Sequence, residues 1–269
     1  MTYRASFIAL PTAGPDQHLA AVIAASGRST VTYREGVVSS FQAYGWTTNI
    51  FVDLLGVQWL DHGWVDLALK KATYEGETIE VSIATRKGGK FEVTNQKDVC
   101  LKGDMGLGRA PWLNNIRHTR LTRTLPSPEP LAILSLELAP LKRNLIPMTV
   151  SLSVADNEHY IKNQLGELLP IYQGEGGRCH PAWLAGRLTD LLHHSYNYGP
   201  AIHTHSKIQN LAPALAGQTF TVTGYCHDAY ERNGHHYIEN DGSIWAEDGT
   251  EVCRLRHTAI FKLKESGSH

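Results

Sequence analysis

The chain has 269 residues, is 42% hydrophobic and 19% charged, and sets 25 Lys and Arg against 26 Asp and Glu for a formal net charge of −1. That apolar content excludes a disordered chain, and the length suffices for one large domain or two of ordinary size. The balanced charge lacks the footprint of a general nucleic-acid binder, no stretch reaches the roughly 18 to 20 apolar residues that span a bilayer, and the first 14 residues make a poor signal peptide.

In chain order, residues 41–55 form the first expected helix, less cleanly patterned than the later ones. Residues 78–84 alternate apolar and polar after the Gly76 turn, which predicts a strand; a turn at 87–90 then leads into residues 91–93. The stretch 103–147 reads as a divider, with Gly103, Gly106 and Gly108, a basic run through Arg117, Arg120 and Arg123, and then Pro126, Pro128 and Pro130. A helix is expected over 154–168, capped by Asp156, with Tyr160, Ile161, Leu165 and Leu168 on one stripe. Pro181 opens another, carrying Leu184, Leu188, Leu191 and Leu192 and leaving Arg187 and Asp190 near the rim. A turn over 199–203 leads into a strand on which His203 and His205 are expected to share a face. Residues 219–225 alternate again, and 236–245 and 252–263 form a hairpin about the Asp248-Gly249 turn.

The two halves resemble each other. One constant shift along the chain sets Gly76 on Gly217, Thr78 on Thr219, Val81 on Val222 and His62 on His203. Internal duplication is the economical explanation. The expected organisation is an N-terminal repeat over 1–105, a crossover over 106–147 and a C-terminal repeat over 148–269. Each repeat places a helix before several antiparallel strands, which gives an α+β fold with a helix wrapped by a curled sheet.

Four cysteines, Cys100, Cys179, Cys226 and Cys253, stand far apart with no C-x-x-C pair. That spacing argues against a zinc ribbon or disulfide scaffold and suits a reducing compartment, with the cytoplasm as the expected location. Fourteen histidines include the pairs 193–194 and 235–236 and the alternating His203 and His205. Two histidines alone do not complete a metal site, so none is expected. No P-loop, nucleophile elbow or dinucleotide fingerprint is present.

Three segments carry a likeness. Residues 207–219 read KIQNLAPALAGQT, residues 248–261 read DGTEVCRLRHTAIF, and residues 166–172 read GELLPIY. Together they resemble the double-hotdog branch of the MaoC-like acyl-CoA hydratases and dehydratases, whose hydratase motif reads G-D-x-N-P-x-H. The resemblance implies two helix-plus-antiparallel-sheet repeats in one chain, a small-molecule acyl thioester on coenzyme A or a carrier protein as partner, and no cofactor. It also leaves room for a homodimer. Gly166 and Pro170 keep the motif's spacing, Glu167 takes the position of its catalytic Asp, Tyr172 that of its catalytic His, and Leu169 replaces its Asn.

Glu–Tyr is a different acid–base pair from Asp–His. Tyrosine, with an unperturbed pKa near 10, serves as a donor rather than a base at neutral pH. Glutamate moves its oxygens by about 1 Å, a displacement that matters in catalysis. His180 precedes Pro181 where the family places a His-Gly or His-Pro turn toward the substrate, and the amides of that helix start are expected to receive an oxyanion. Glu167, Tyr172 and His180 are thus the catalytic candidates, with Arg178, His203 and His205 as substrate-binding ones. A hydratase or dehydratase is expected. A thioesterase using Asp190 or Glu167, and an acyl-binding protein without turnover, are the alternatives.

Overall fold

The computed structural model describes residues 2–12, 35–84, 88–166, 169–199 and 202–264. Each repeat begins at a sheet edge. In the first, β1 (Tyr3–Ile8) is followed by the long helix α1 (Ser40–Leu55), the single turn α2 (Trp59–His62), and strands β2 (Gly63–Leu69), β3 (Thr78–Ile83), β4 (Gly89–Thr94) and β5 (Val99–Leu107). In the second, β6 (Met148–Ser151) leads to α3 (Val154–Tyr160), the long helix α4 (Pro181–Ser195), and β7 (Ile202–Asn210), β8 (Thr219–Arg232), β9 (His235–Ala246) and β10 (Glu251–Lys262).

These strands pair into one sheet in the order β1-β3-β4-β5-β2-β7-β10-β9-β8-β6, antiparallel throughout. Read inward from either edge, the order is the same. The two halves meet where β2 pairs with β7, and Asp66 stands opposite Lys207, the residue on which the repeat shift places it. A pseudo-twofold axis passes between those two residues. The same interval separates the first residues of α1 and α4 and those of β3 and β8. Gly76 and Gly217 both adopt left-handed backbone (φ 78° and 85°), and their amides donate to Ala9 and Leu152 at the ends of the two edge strands.

Alternation in each strand follows from which face meets the helices. Val65 and Leu67 on β2, Ile79, Val81 and Ile83 on β3, and Ile208 on β7 are buried. Asp66 and Lys207 lie on the outer face and pair with each other. Helix α1 is buried on nearly all sides, between the sheet and α4. That explains its missing apolar stripe, because a helix with no solvent face needs none.

The two helices cross at glycines. A Cβ on Gly45 would stand 2.6 Å from Leu165 Cδ2 and 3.1 Å from the Ala182 Cβ, whereas one on Gly186 would meet nothing nearer than Phe41 at 3.7 Å. Gly45 and Gly186 are themselves equivalent under the repeat shift, as are Phe41 and Ala182.

Two expectations are corrected. Helix α3 is capped by Ser153, whose Oγ accepts from the Asp156 amide at 3.0 Å while its hydroxyl donates to the Asp156 carboxylate. Asp156 is the third residue of the helix and not its cap. The helix also stops short of 168: a wide π turn (Ile161–Leu165) follows Tyr160, and Gly166 ends it in left-handed backbone. The second correction concerns β7. A bulge opposite Thr258 and Ala259 inserts Thr204, so His203 and His205 point to opposite faces.

The segment joining β5 to β6 lies across the outer face of the second repeat. The Arg117 amide donates to Asp241 Oδ2 at 2.8 Å, and Arg256 donates both to Asp241 and to the Asn115 carbonyl. Asp241 is wholly buried.

The glycine crossing gives a directional test. Gly186→Ala should gain about 0.5 to 1 kcal/mol in helix propensity. Gly45→Ala must displace Leu165 and Ala182, a strain on the order of 1 to 3 kcal/mol. Urea titration should therefore rank Gly45→Ala below Gly186→Ala, and equal midpoints would contradict the close approach.

Candidate functional site

The start of α4 gathers residues of both repeats. His180 is its N-cap: Nδ1 accepts from the Ala182 amide at 3.1 Å. The other ring nitrogen therefore carries the proton, and Nε2 donates to Thr48 Oγ1 of α1 at 3.0 Å. The Thr48 hydroxyl in turn donates to the Gly45 carbonyl at 2.8 Å. The ring is fully buried, and that burial drives its pKa down from 6.5 to about 3.

Tyr172 ends a short 3-10 turn (Pro170–Tyr172), where Pro170 sets the entry angle. Its ring stands 5.0 Å from that of His180, and it too is buried completely. Asn157 fixes the loop by donating to the Tyr172 and Arg178 carbonyls at 2.9 and 3.0 Å. Tyr44 of α1 lies close by, its hydroxyl pKa raised by burial and then by the neighbouring Cys253 and Tyr172. Tyr172 and His180 are thus brought together. Glu167 lies outside the described residues.

One expectation about this helix start changes. The amides of Trp183 and Leu184 both reach the His180 carbonyl, Ala182 is held by the His180 ring, and Pro181 has no N–H. The donors expected to receive an oxyanion are occupied by the cap itself.

The remaining candidates stand elsewhere. Arg178 makes a two-pronged pair with Asp61 at 2.9 and 3.1 Å, a latch between the repeats. Asp190 pairs with Arg187, whose guanidinium covers the Trp183 ring. His203 is buried under α4, with Nε2 3.0 Å from Thr189 Oγ1 and its ring 4.6 Å from Phe41 and 5.2 Å from His257. His205 instead meets Asp66 at 2.7 Å on the outer face, in an open polar groove of about 560 Å³ that also holds Lys90, Lys102 and Asp104. Among the described residues no group of three or more His, Cys, Asp or Glu could hold a metal ion. No helix there is long and apolar enough to cross a membrane.

Sequence reasoning missed Thr48, Thr189 and His257. A signal existed for two of them, because the shift that aligns the glycines also sets Thr48 on Thr189. Each threonine meets a histidine ring at 3.0 Å, one pair at either end of the crossed helices.

The chain matches no protein-family model and no curated protein. Solved structures do resemble it. A Mycobacterium tuberculosis protein described as having a double hotdog fold aligns over 95% of both chains, at 11% identity and a TM-score of 0.55. The fold is a double hotdog. A MaoC-like dehydratase aligns over 96% of this chain and 97% of its own, at 12% identity and a TM-score of 0.57. A Lactobacillus plantarum protein, assigned by inference as an oleoyl thioesterase, aligns over 98% of both at 10% identity and 0.51. Dehydratases and thioesterases thus share this double-hotdog architecture, and identities this low carry the fold alone.

The buried rings make stability depend on pH. Burial holds the folded pKa of His180 at about 3 and of His257 at about 4, and that of His203 well below 6.5. On unfolding each ring takes up a proton, so its contribution is complete above pH 6.5 and falls as pH drops toward the folded value. Between pH 6.5 and 5 each ring should contribute a slope of up to about 1.4 kcal/mol per pH unit. Urea unfolding of wild type and His180→Asn at pH 7, 6 and 5 measures this. A slope that is identical in the variant would rule out a neutral, buried His180.

Proposed function

We propose that the protein acts on an acyl thioester at the seam between its repeats, as a lyase of the hydratase or dehydratase type. The observation that carries this reading is the packing of Tyr172 on His180 against Thr48, which joins the motif loop, the start of one long helix and the middle of the other. Fold alone does not assign an activity, so the reading stands on these residues together with the spacing of the modified motif.

In this reading Glu167 is the base that takes the proton alpha to the thioester carbonyl. Tyr172 donates a proton to the departing hydroxyl, which leaves as water, and hydration reverses both transfers. His180 is a positioning residue: neutral and locked, it sets the Tyr172 ring and the helix start instead of moving a proton. With its four cysteines free and buried, the protein suits a reducing compartment such as the cytoplasm.

A second reading, acyl binding without turnover, is favoured by the occupied amides at the α4 start. Incubation with a panel of acyl thioesters separates the outcomes. Water addition or loss supports the lyase, release of free thiol indicates a thioesterase, and binding without product selects the second reading. If the lyase reading holds, Glu167→Gln should lower kcat by about 10² to 10⁴. Tyr172→Phe should also lower it, with the thermal melt little changed in either variant. Near-wild-type turnover in both folded variants would remove this site from consideration.

A further inference from the structure

The motif segment, residues 166–172, leaves the π turn of the second repeat at a point that the first repeat grips. Gly166 closes that turn by donating to the Ile161 carbonyl. Two residues earlier, the Gln164 carbonyl accepts from Gln42 Nε2 of α1 at 2.7 Å and from Trp46 Nε1 of the same helix at 3.4 Å. Carbonyls at a helix end run out of amides of their own and take such donors.

Gln42 is only 1% exposed. Its other contacts fix which way the amide points. Thr12 Oγ1 accepts from the Ser39 amide at 2.9 Å and donates to Gln42 Oε1 at 2.8 Å. Nε2 also faces the Leu10 and Pro11 carbonyls at 2.9 and 3.2 Å, so one hydrogen goes to Gln164 and the other to this pair. An amide engaged on both sides acts on its neighbours and not on a ligand. Packing alone does not ask for it here. The repeat shift sets Gln42 on Trp183 of α4, which fills its place with an indole against the Phe220 ring.

The far end of the segment is held in the same manner, by Asn157 Nδ2 of α3 on the Tyr172 carbonyl. Two buried amides, one from each repeat, therefore pin the entry and the exit. We propose that Gln42 is a positioning residue for the reaction: from the first repeat it fixes the entry of the motif segment and so holds Tyr172 in place on His180. The proposal rests on the lyase reading above for what the segment does. A displacement of about 1 Å at reacting groups costs on the order of a hundredfold in rate, so the effect falls on kcat.

Two variants of the full chain test this. Gln42→Met keeps the volume and removes every hydrogen bond. It should lower kcat on an acyl thioester about ten- to a hundredfold and leave KM within about twofold of wild type. Hydrogen–deuterium exchange should quicken by about tenfold or more over residues 164–172 and keep wild-type rates in α4 and in β7 to β10. Gln42→Glu keeps an oxygen for Thr12 but donates to Gln164 only when protonated, so its rate relative to wild type should rise as pH falls.

An unchanged kcat in folded Gln42→Met overturns the proposal. So does exchange that quickens throughout the protein in step with a lower melt, the mark of a stability role alone. Should Gln42→Met not fold, Gln42→Glu decides, and a relative rate that is flat with pH counts against the positioning role. If wild type turns over no thioester, the lyase reading fails, and exchange in whichever variant folds decides the anchor by itself. A rise confined to 164–172 upholds it, and no rise there overturns it.

Discussion

The antiparallel pairing of β2 with β7 governs the rest of the molecule. Five residue pairs, from Trp64 with Gln209 to Ala68 with His205, turn two sheets of five strands into one. Once Asp66 faces Lys207, the position of each long helix relative to the other is set by the sheet beneath it. The helices then meet at glycines, and each presents a threonine to the opposite end of the pair. His180 and His203 take their places from that geometry. Ring, hydroxyl and helix start come from segments far apart in the chain, so the seam is the element that holds them in register.

Symmetry set up by the seam is then broken by side chains. At one end of the helix pair the ring beside Thr48 comes from the cap of α4. At the other, Ser39 occupies the equivalent cap position, and the ring beside Thr189 comes from a strand that a bulge has re-aimed. Strands β8 and β9 also run to 14 and 12 residues, against six each for β3 and β4. The second repeat therefore has more inner surface under its helix, and there the apolar pattern gives way to the buried Ser206, His257 and Asn240. One frame occurs twice, and each half fills it differently.

Much of this was legible in the sequence. Pro181 and the leucines behind it mark α4 because that helix keeps a partly wet side, while α1, enclosed on nearly every side, has no comparable stripe to read. Strands after Gly76 and Gly217 were visible from alternation because one face of the sheet is polar. A bulge of one residue is not visible in that way, since it changes parity without changing composition, and it misplaced His205. The cap of α3 was read three residues late because both Ser153 and Asp156 are capping residues, and only the backbone geometry separates their roles. Tyr172 and His180 were singled out through the motif likeness and the His-Pro turn. Thr48 and His257 could not be, because their meaning comes from a tertiary contact and no local pattern marks it.

Part of the crossover's hold on the second repeat is made through its backbone. Arg256 and the buried Asp241 grip the carbonyl of Asn115 and the amide of Arg117, groups that every residue except proline supplies in full. The Arg117 guanidinium lies 4.2 Å over the Tyr225 ring, whereas Arg120 and Arg123 are exposed on the strap. Sequence at those two positions is accordingly free to drift while the fastening persists. Over evolutionary time, the connection between the repeats can acquire new surface properties without loosening the two halves that it joins.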